Sequence, residues 1–543
     1  MIRVEHLAAD VLGLTPIVRA ALSGSLAPEI LHVPRRVEDI ALPSDRLDAD
    51  ARAELAMNLE RGLSPLEPHV AVLDGARSLA QPGVFAVVTG QQPGFLVSPL
   101  YSIWKALQTI RLARELTQHL ERRVVPLFWN HADDHDIAEV HHAWVQNANL
   151  DLQKLALAGL ASGRQPVSRI VVDDVANRLG PIREALRVLV RNEPHAERAI
   201  EIFVPRSGET LARAFTRGLT ELLGKHGLVV LEPDWIRTAL SRELARIVTQ
   251  DPGRLLALGA ERVRRAGFDV AIDPAEAALV YTVDAKGRRA LRAGGEGFRY
   301  DGEDGSRTGE ELAAEIVQDP AAWSAGALLR PIVQDLALPV AAYVGGGGEL
   351  AYHAELADLR SACNAPRTPF VPRASITLVD GHVRFAIARL EASVEVLLRA
   401  RGQFAPEGSA EPEPEVLAKL RAAGERAKKE LNELRPEFGE LDPGLAIQLK
   451  RTADQVMELV TELADKAVRI QSNRSGKGRR HERRANNALF PNLTPQERVF
   501  GPLTFVARHG EEWITELLAA IDAFGGDHLV VHLPNTATEE QLA

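Results

Sequence analysis

The chain has 543 residues, 45% apolar and 25% charged, with a formal net charge of -10 and one cysteine. That composition excludes a disordered chain, a disulfide framework and a Cys-rich metal site, and the acidic balance argues against nucleic-acid binding, which needs a basic footprint. The length points to about three or four structural units.

The N-terminal MIRVEHLAAD carries Glu5 and Asp10 and has no apolar core of a signal peptide, and no apolar run reaches the ~18 residues of a membrane span. The expectation is a soluble cytoplasmic protein with no membrane partner. Residues 46–63 repeat apolar side chains at Leu47, Ala51, Leu55 and Leu59, which predicts a helix packed on the core. VFAVVTG (84–90) is a strand-length apolar run that ends in the polar loop Thr89, Gly90, Gln91, Gln92, Pro93, Gly94. Pro99 suits the first turn of a following helix, on which Leu100, Ile103, Leu107 and Ile110 share one face and Lys105 lies off it. VVPLFW (124–129) is a second strand, followed by the acid-rich loop at 130–136 and a second helix-like segment.

Residues 150–200 are irregular, with polar turns at 162–165. A helix through Leu211, Phe215, Leu219 and Leu222 then ends before Gly227 and the strand LVVL. Gly-rich turns between 250 and 325, with AALVYTV (277–283), predict a smaller inserted subdomain of short strands. PVAAYV, the glycines at 345–348 and a helix over 349–359 repeat the strand–loop–helix pattern. Residues 385–402 read as helix and 405–416 as a Pro/Glu-rich loop. Leu449, Val456, Leu463 and Ile470 recur every seven residues, with Ala453, Val460 and Ala467 between them. This is a coiled-coil seam of about three heptads, either an antiparallel hairpin within the chain or a contact with a second subunit. Residues 474–484 form a basic run, read as a solvated helix end or as a collar for a phosphorylated ligand. HLVVHL (528–533) is a strand expected to return to the core.

Three motifs are near misses. His131 and His135 stand four apart as in a zincin helix, but Ala132 occupies the place of the catalytic Glu. Carboxylates at Asp134 and Asp136 better suit Mg²⁺ carrying a nucleotide, or a helix cap. TGQQPG lacks the Lys-Ser/Thr of a phosphate-binding P-loop, and GGGGE (345–349) lacks the last glycine of a dinucleotide fingerprint because position 350 is Leu. Cys363 sits in no catalytic signature and is read as a structural or surface thiol. Taken together, polar loops at several strand ends indicate one shared crevice of a Rossmann-like enzyme acting on a polar substrate.

VVTGQQPGFLVSPLYSIWKALQTIRLA, FWNHADDHDIAEVHH, LLRPIVQDLALPVAAYVGGGGELAYHAEL, FVPRASITLVD and LFPNLTPQERVF, in this order, resemble the bacillithiol cysteine-adding enzyme family, BshC. The resemblance implies an α/β fold: a Rossmann-like core with connecting-peptide insertions, similar to class I aminoacyl-tRNA synthetases, plus a C-terminal α-helical coiled-coil domain. The implied boundaries are core at 1–150, 201–250 and 321–383, insertions at 151–200 and 251–320, the helical domain at 384–488, and a returning segment at 489–543. The implied reaction joins cysteine to the amine of glucosaminyl-malate, with ATP as cosubstrate, Mg²⁺ on Asp134 and Asp136, no bound organic cofactor, and a homodimer formed through the helical domain. By motif, the implied catalytic residues are Asp134, His135, Asp136 and His142. The implied substrate and nucleotide contacts are Thr89, Gly90, Gln91, Gln92, Arg330, Gln334, Gly345, Gly346, Gly348 and Glu349. Two departures stand out: Asp133 where the family commonly has Glu, and Phe95, Leu96, Val97 and Ser98 in place of a more Gly-rich stretch. The alternative function is a nucleotide- or thiol-binding accessory protein of the same pathway, without catalysis of its own.

Overall fold

The computed structural model describes residues 1–534 apart from 161–164, 174–176, 285, 286, 295, 296, 301–304, 406–414, 442, 475 and 476. Most of the predicted polar turn at 162–165 and of the Pro/Glu-rich loop at 405–416 lies outside the described residues, as do the side chain of Ile470 and those of the first half of the basic run. The chain divides into two units, one formed by Met1–His382 together with the segment from Pro491, the other by Val383–Phe490.

The larger unit is built on a five-stranded sheet. Its strands are β1 (Phe85–Gln91), β2 (Val124–Asn130), β3 (Val229–Leu231), β4 (Val340–Gly345) and β5 (Phe370–Pro372), in the spatial order β5-β4-β1-β2-β3, with every pair parallel. Parallel strands covered on both faces need continuous apolar runs, and β1 and β4 are such runs. Period-two alternation sends Ala86 and Val88 into one core cluster and Phe85 and Val87 into another. Helix α1 (Tyr101–Leu120) connects β1 to β2, and helix α2 (Gly347–His353) leaves β4.

Three smaller sheets surround this core. A four-stranded antiparallel sheet gathers Ala278–Asp284, Gly287–Gly294, Gly297–Tyr300 and Trp323–Ala325, the short strands expected between the Gly-rich turns. His142–Gln146 and Leu152–Ala156 form a hairpin, so the second polar loop leads into one helical turn (Ile137–Val140) and then a strand rather than a long helix. The C-terminal His528–His532 does not join the core sheet; it lies between Arg3–Leu7 and Ser375–Val379 in a separate three-stranded sheet.

The single helix expected over 349–359 is two, α2 and Ala357–Ala362. The break falls at Glu355, whose buried carboxylate accepts hydrogen bonds from the Ala271 and Ile272 amides, a tertiary demand invisible in local periodicity. Residues 385–402 likewise form two short helices, Gly381–Ala388 and Val394–Arg399, with Glu391 between them at φ 50.

In the helical unit, α3 (Glu415–Glu433) packs on α4 (Pro443–Arg474) as an antiparallel hairpin. Lys428 pairs with Asp454 at 2.9 Å, and further toward the start of α3 a Cβ on Gly424 would stand 2.8 Å from Val460. The seam departs from the strict heptad: Ala453 and Ala464 are fully buried whereas Leu463 is 55% exposed. A straight helix drifts by ~20° per heptad, which turns Leu463 outward and Ala464 inward.

Candidate active site

The strand order reverses between β1 and β4, because successive connections go to β2 and β3 on one side and to β5 on the other. Ligands of open α/β sheets bind at such a switch point, beyond the strands' carboxyl ends. Here the loops after β1 and β4 enclose a chamber of about 280 Å³ walled by Gln91, Gln92, Lys105, His131, Asp134, Gly346, Gly348, Glu349, Arg373 and Arg498.

Lys105 organises this chamber from below. It is 1% exposed, and its Nζ donates to Gly90 O at 2.7 Å and Gln91 Oε1 at 3.0 Å while pairing with Glu349 Oε2 at 2.5 Å. Glu349 also accepts from the Gly346 amide (2.8 Å) and the Tyr343 hydroxyl (2.6 Å). Burial raises the carboxyl's pKa, but Lys105 and the Gly346 amide outweigh it and hold Glu349 below its usual range. Burial pulls the Lys105 ammonium below its usual range, with Glu349 opposing. Glu349 stays ionised near neutrality, and burial together with that charge pushes the Tyr343 phenol well above 10.0.

The loop after β2 forms the opposite wall. His131 stands between the switch-point chamber and a neighbouring one of about 200 Å³ that Trp129, Arg237, Tyr281, Arg288, Trp323 and Arg330 also line. Among the described residues its Nε2 has no hydrogen-bond partner, and burial with Arg330 and Lys105 nearby holds its pKa well below 6.5, so the imidazole is neutral. Asp134 accepts from Gln92 Nε2 at 2.5 Å, from the His135 amide at 2.7 Å and from Arg288 Nη1 at 3.2 Å. Burial opposes its charge, yet His135 and Arg288 keep it ionised well below the usual carboxylate range. Arg288 lies 3.5 Å above the Tyr281 ring, and Asp133 pairs with Arg237.

These contacts sort the expected residues. Gln91, Gln92, Gly346, Gly348, Glu349 and Asp134 meet at the switch-point chamber. Arg330 lines the neighbouring chamber and donates to Tyr352 Oη at 3.0 Å and Gln334 Oε1 at 3.1 Å. Thr89 is buried and ties β1 to β4 through Val344 O at 2.7 Å, and Gln334 is a buried partner of Arg330 and Asp335, so both act one layer behind the surface. Gly90 is a close approach: a Cβ there would stand 2.4 Å from His131 Nε2. Gly345 faces Phe370, where a Cβ would stand 2.5 Å from the ring. His142 lines a third chamber, with its pKa lowered to about 4 by burial and by Lys154 and His141. His135 accepts from Arg288 Nη1 at 3.1 Å and lines none of these chambers.

Both Asp134 oxygens are engaged, Asp136 caps the turn Ile137–Val140 through the Ala138 amide, and among the described residues no group of three or more His, Cys, Asp or Glu side chains could hold a metal ion. Cys363 is buried away from these chambers, and burial pushes its thiol up to about 11, which keeps it protonated and unreactive.

The motif reading does not single out Lys105, Arg373 or Arg498, and it takes His131 only as half of the rejected zincin pair. Lys105 was set aside as off the apolar stripe, but every residue from 102 to 110 is buried, so α1 has no solvent face there. A lone lysine in a helix buried all round was the available signal. Arg373 forms a bidentate pair with Glu497 and lies 5.1 Å from the centre of the Tyr101 ring. Only the fold brings that pair and Arg498 to the strand ends. Leu96 and Val97, in the departure after TGQQPG, both adopt φ 56, a region that glycine favours. The loop thus keeps a glycine-type backbone while burying two apolar side chains.

Two family models match the chain: "Bacillithiol biosynthesis BshC, N-terminal Rossmann-like domain" over residues 34–374 and "Bacillithiol biosynthesis BshC, C-terminal coiled-coil domain" over 376–533. Among similar proteins, one from Symbiobacterium thermophilum is 30% identical over 512 residues, covering 89% of this chain and 90% of its own. One from Koribacter versatilis is 28% identical over 465 residues (83% and 84%), and one from Shouchella clausii is 27% identical over 511 residues (92% of each). All three bear the name "Putative cysteine ligase BshC".

Proposed function

The chain belongs to the BshC family of bacillithiol biosynthesis, and we propose that it is the ligase joining the carboxyl of cysteine to the amine of glucosaminyl-malate, with an adenine nucleotide activating the carboxyl. The observation that carries this reading is the pair Arg330 and Arg498. Each lines a chamber at the strand ends, and among the described residues neither has a carboxylate within ion-pair distance. Guanidinium groups at the wall of a crevice without their own counter-ions favour anionic ligands such as phosphates and carboxylates.

In this reading a cysteine carboxylate oxygen attacks the α-phosphorus of ATP, forming an acyl-adenylate and releasing pyrophosphate. The sugar amine then attacks the acyl carbon, the amide bond forms and AMP leaves. An acyl-phosphate route would release ADP and phosphate instead. Lys105 and Glu349 hold the two loops in place, Arg330 and Arg498 attract the anionic groups, and the uncharged His131 accepts the amine's proton and passes it to solvent. Asp134 and His135 keep the second loop in register through Arg288 and Gln92. Mg²⁺ would arrive on the nucleotide's own phosphates rather than in a protein carboxylate cage. Cytoplasm, where ATP is made and used, is the compartment this chemistry requires. No described helix is long and apolar enough to cross a membrane. Leu459 and Leu463, 65% and 55% exposed on α4, offer a second copy of the helical unit an apolar face for a homodimer.

The test is to incubate purified protein with ATP, Mg²⁺, cysteine and glucosaminyl-malate and follow products by mass spectrometry. Bacillithiol and AMP are expected in equal amounts. An absence of bacillithiol, with the upstream pathway enzymes supplied as well, would overturn the ligase reading.

A further inference from the structure

The third chamber has a charge pattern that general anion binding does not explain. It encloses about 280 Å³ between the turn Ile137–Val140, the strand His142–Gln146 and the loop after β1. Its lining holds one carboxylate, Glu139, and one guanidinium, Arg498. Glu139 is an exposed residue at the chamber wall, and among the described residues no cation lies within ion-pair distance of it. Partial burial of its carboxylate, with Asp136 and Asp134 nearby, raises the Glu139 pKa. The rest of the wall is mixed, with Gln91, Ser98, Tyr101 and His142 beside Val140, Ala143 and Trp144.

We infer that this chamber is the amino-acid subsite, in which Glu139 receives the α-ammonium, Arg498 receives the α-carboxylate, and His142 with Val140, Ala143 and Trp144 receives the short side chain. One acid and one base in a small chamber complement a zwitterion. A polyphosphate would be repelled by Glu139, and a simple amine would leave Arg498 unanswered. Gln91, Gln92, Tyr101 and Arg498 line both this chamber and the switch-point chamber, so a carboxylate held by Arg498 sits at their junction, where it can be activated. That the amino acid is cysteine rests on the ligase reading; the subsite itself rests on the lining.

The experiment compares wild type with Glu139→Gln by titration calorimetry, using L-cysteine and 3-mercaptopropionate, which lacks the ammonium, with and without a non-hydrolysable ATP analogue. Wild type should prefer L-cysteine by about tenfold or more, and Glu139→Gln should lose that preference while keeping its melting temperature. In turnover, the variant should raise the KM for cysteine by about tenfold and leave those for ATP and glucosaminyl-malate unchanged. A wild type without the preference, or a variant with unaltered cysteine affinity, overturns the subsite. Cysteine binding of the expected kind without any bacillithiol would remove the ligase reading and keep the subsite. Bacillithiol formation with an unchanged cysteine KM in Glu139→Gln would do the reverse.

Discussion

Lys105 Nζ lies 2.5 Å from Glu349 Oε2, and this one ion pair ties the helix leaving β1 to the helix leaving β4 across the point where the strand order reverses. Its place beneath both polar loops makes it the structural link between the TGQQ and GGGGE motifs. A buried ion pair contributes little net stability compared with an apolar replacement, but removing one partner strands the other. Lys105→Met and Glu349→Gln should each lower the stability of the larger unit by about 3–5 kcal/mol, and the double variant should cost clearly less than their sum. Urea unfolding of the three variants measures this coupling, and additive losses would mean that the pair acts as two independent groups.

Two glycines in the loops should respond in opposite ways. A Cβ on Gly90 meets His131 Nε2 at 2.4 Å and Trp129 O at 2.8 Å, whereas a Cβ on Gly348 meets nothing within 4 Å. Gly90→Ala should displace His131 and lower the melting temperature by several degrees, corresponding to about 1–3 kcal/mol of overpacking. Gly348→Ala should keep the wild-type melting temperature and raise KM for a substrate that occupies the chamber. Thermal melts paired with steady-state kinetics separate the two effects.

Stability should fall as pH is lowered from about 6.5 to 4, before most carboxylates titrate. His528 is buried between Ser375 and Thr377, and burial lowers its pKa from 6.5 to about 4. Burial likewise takes His142 and His226 to about 4. In that window the unfolded chain binds protons that the folded one refuses. The stabilisation is therefore complete above the unfolded value and is lost as pH falls through the folded one. Melting temperatures at stepped pH should show this slope, and His528→Gln should flatten it.

The helical hairpin offers a test of its own seam. A Cβ on Gly424 would already crowd Val460, so Gly424→Leu should destabilise the pairing of α3 and α4 by about 1–3 kcal/mol. Ala464→Leu should do the same, because Ala464 is fully buried, while Leu463→Lys should leave the hairpin's thermal transition in place because Leu463 faces outward. Circular dichroism at 222 nm reads all three. Sedimentation velocity of Leu463→Lys then reports on the proposed homodimer, which should dissociate more readily than wild type.

Local chemistry by itself determined the strand–loop–helix units, the inserted strands, the helical region and the two polar loops, because apolar period and turn residues act within a few positions of each other. The resemblance in TGQQPG, HADDHD and GGGGE also marked Gln91, Gln92, Gly346, Gly348 and Glu349, which share one chamber. What the tertiary structure decided is what each polar group faces. Thr89 and Asp136, polar residues of the same loops, are spent on a strand tie and a helix cap. Glu355 breaks a helix to reach amides more than 80 residues away. Lys105 looks misplaced in an apolar helix until Glu349 arrives beside it, and Arg498 reaches the crevice only because the C-terminal segment folds back, its Glu497 pairing with Arg373 just after β5. Burial and counter-ions are long-range properties of the packed chain, and they set which groups are charged and which are neutral at the strand ends. No spacing rule along the sequence carries that information.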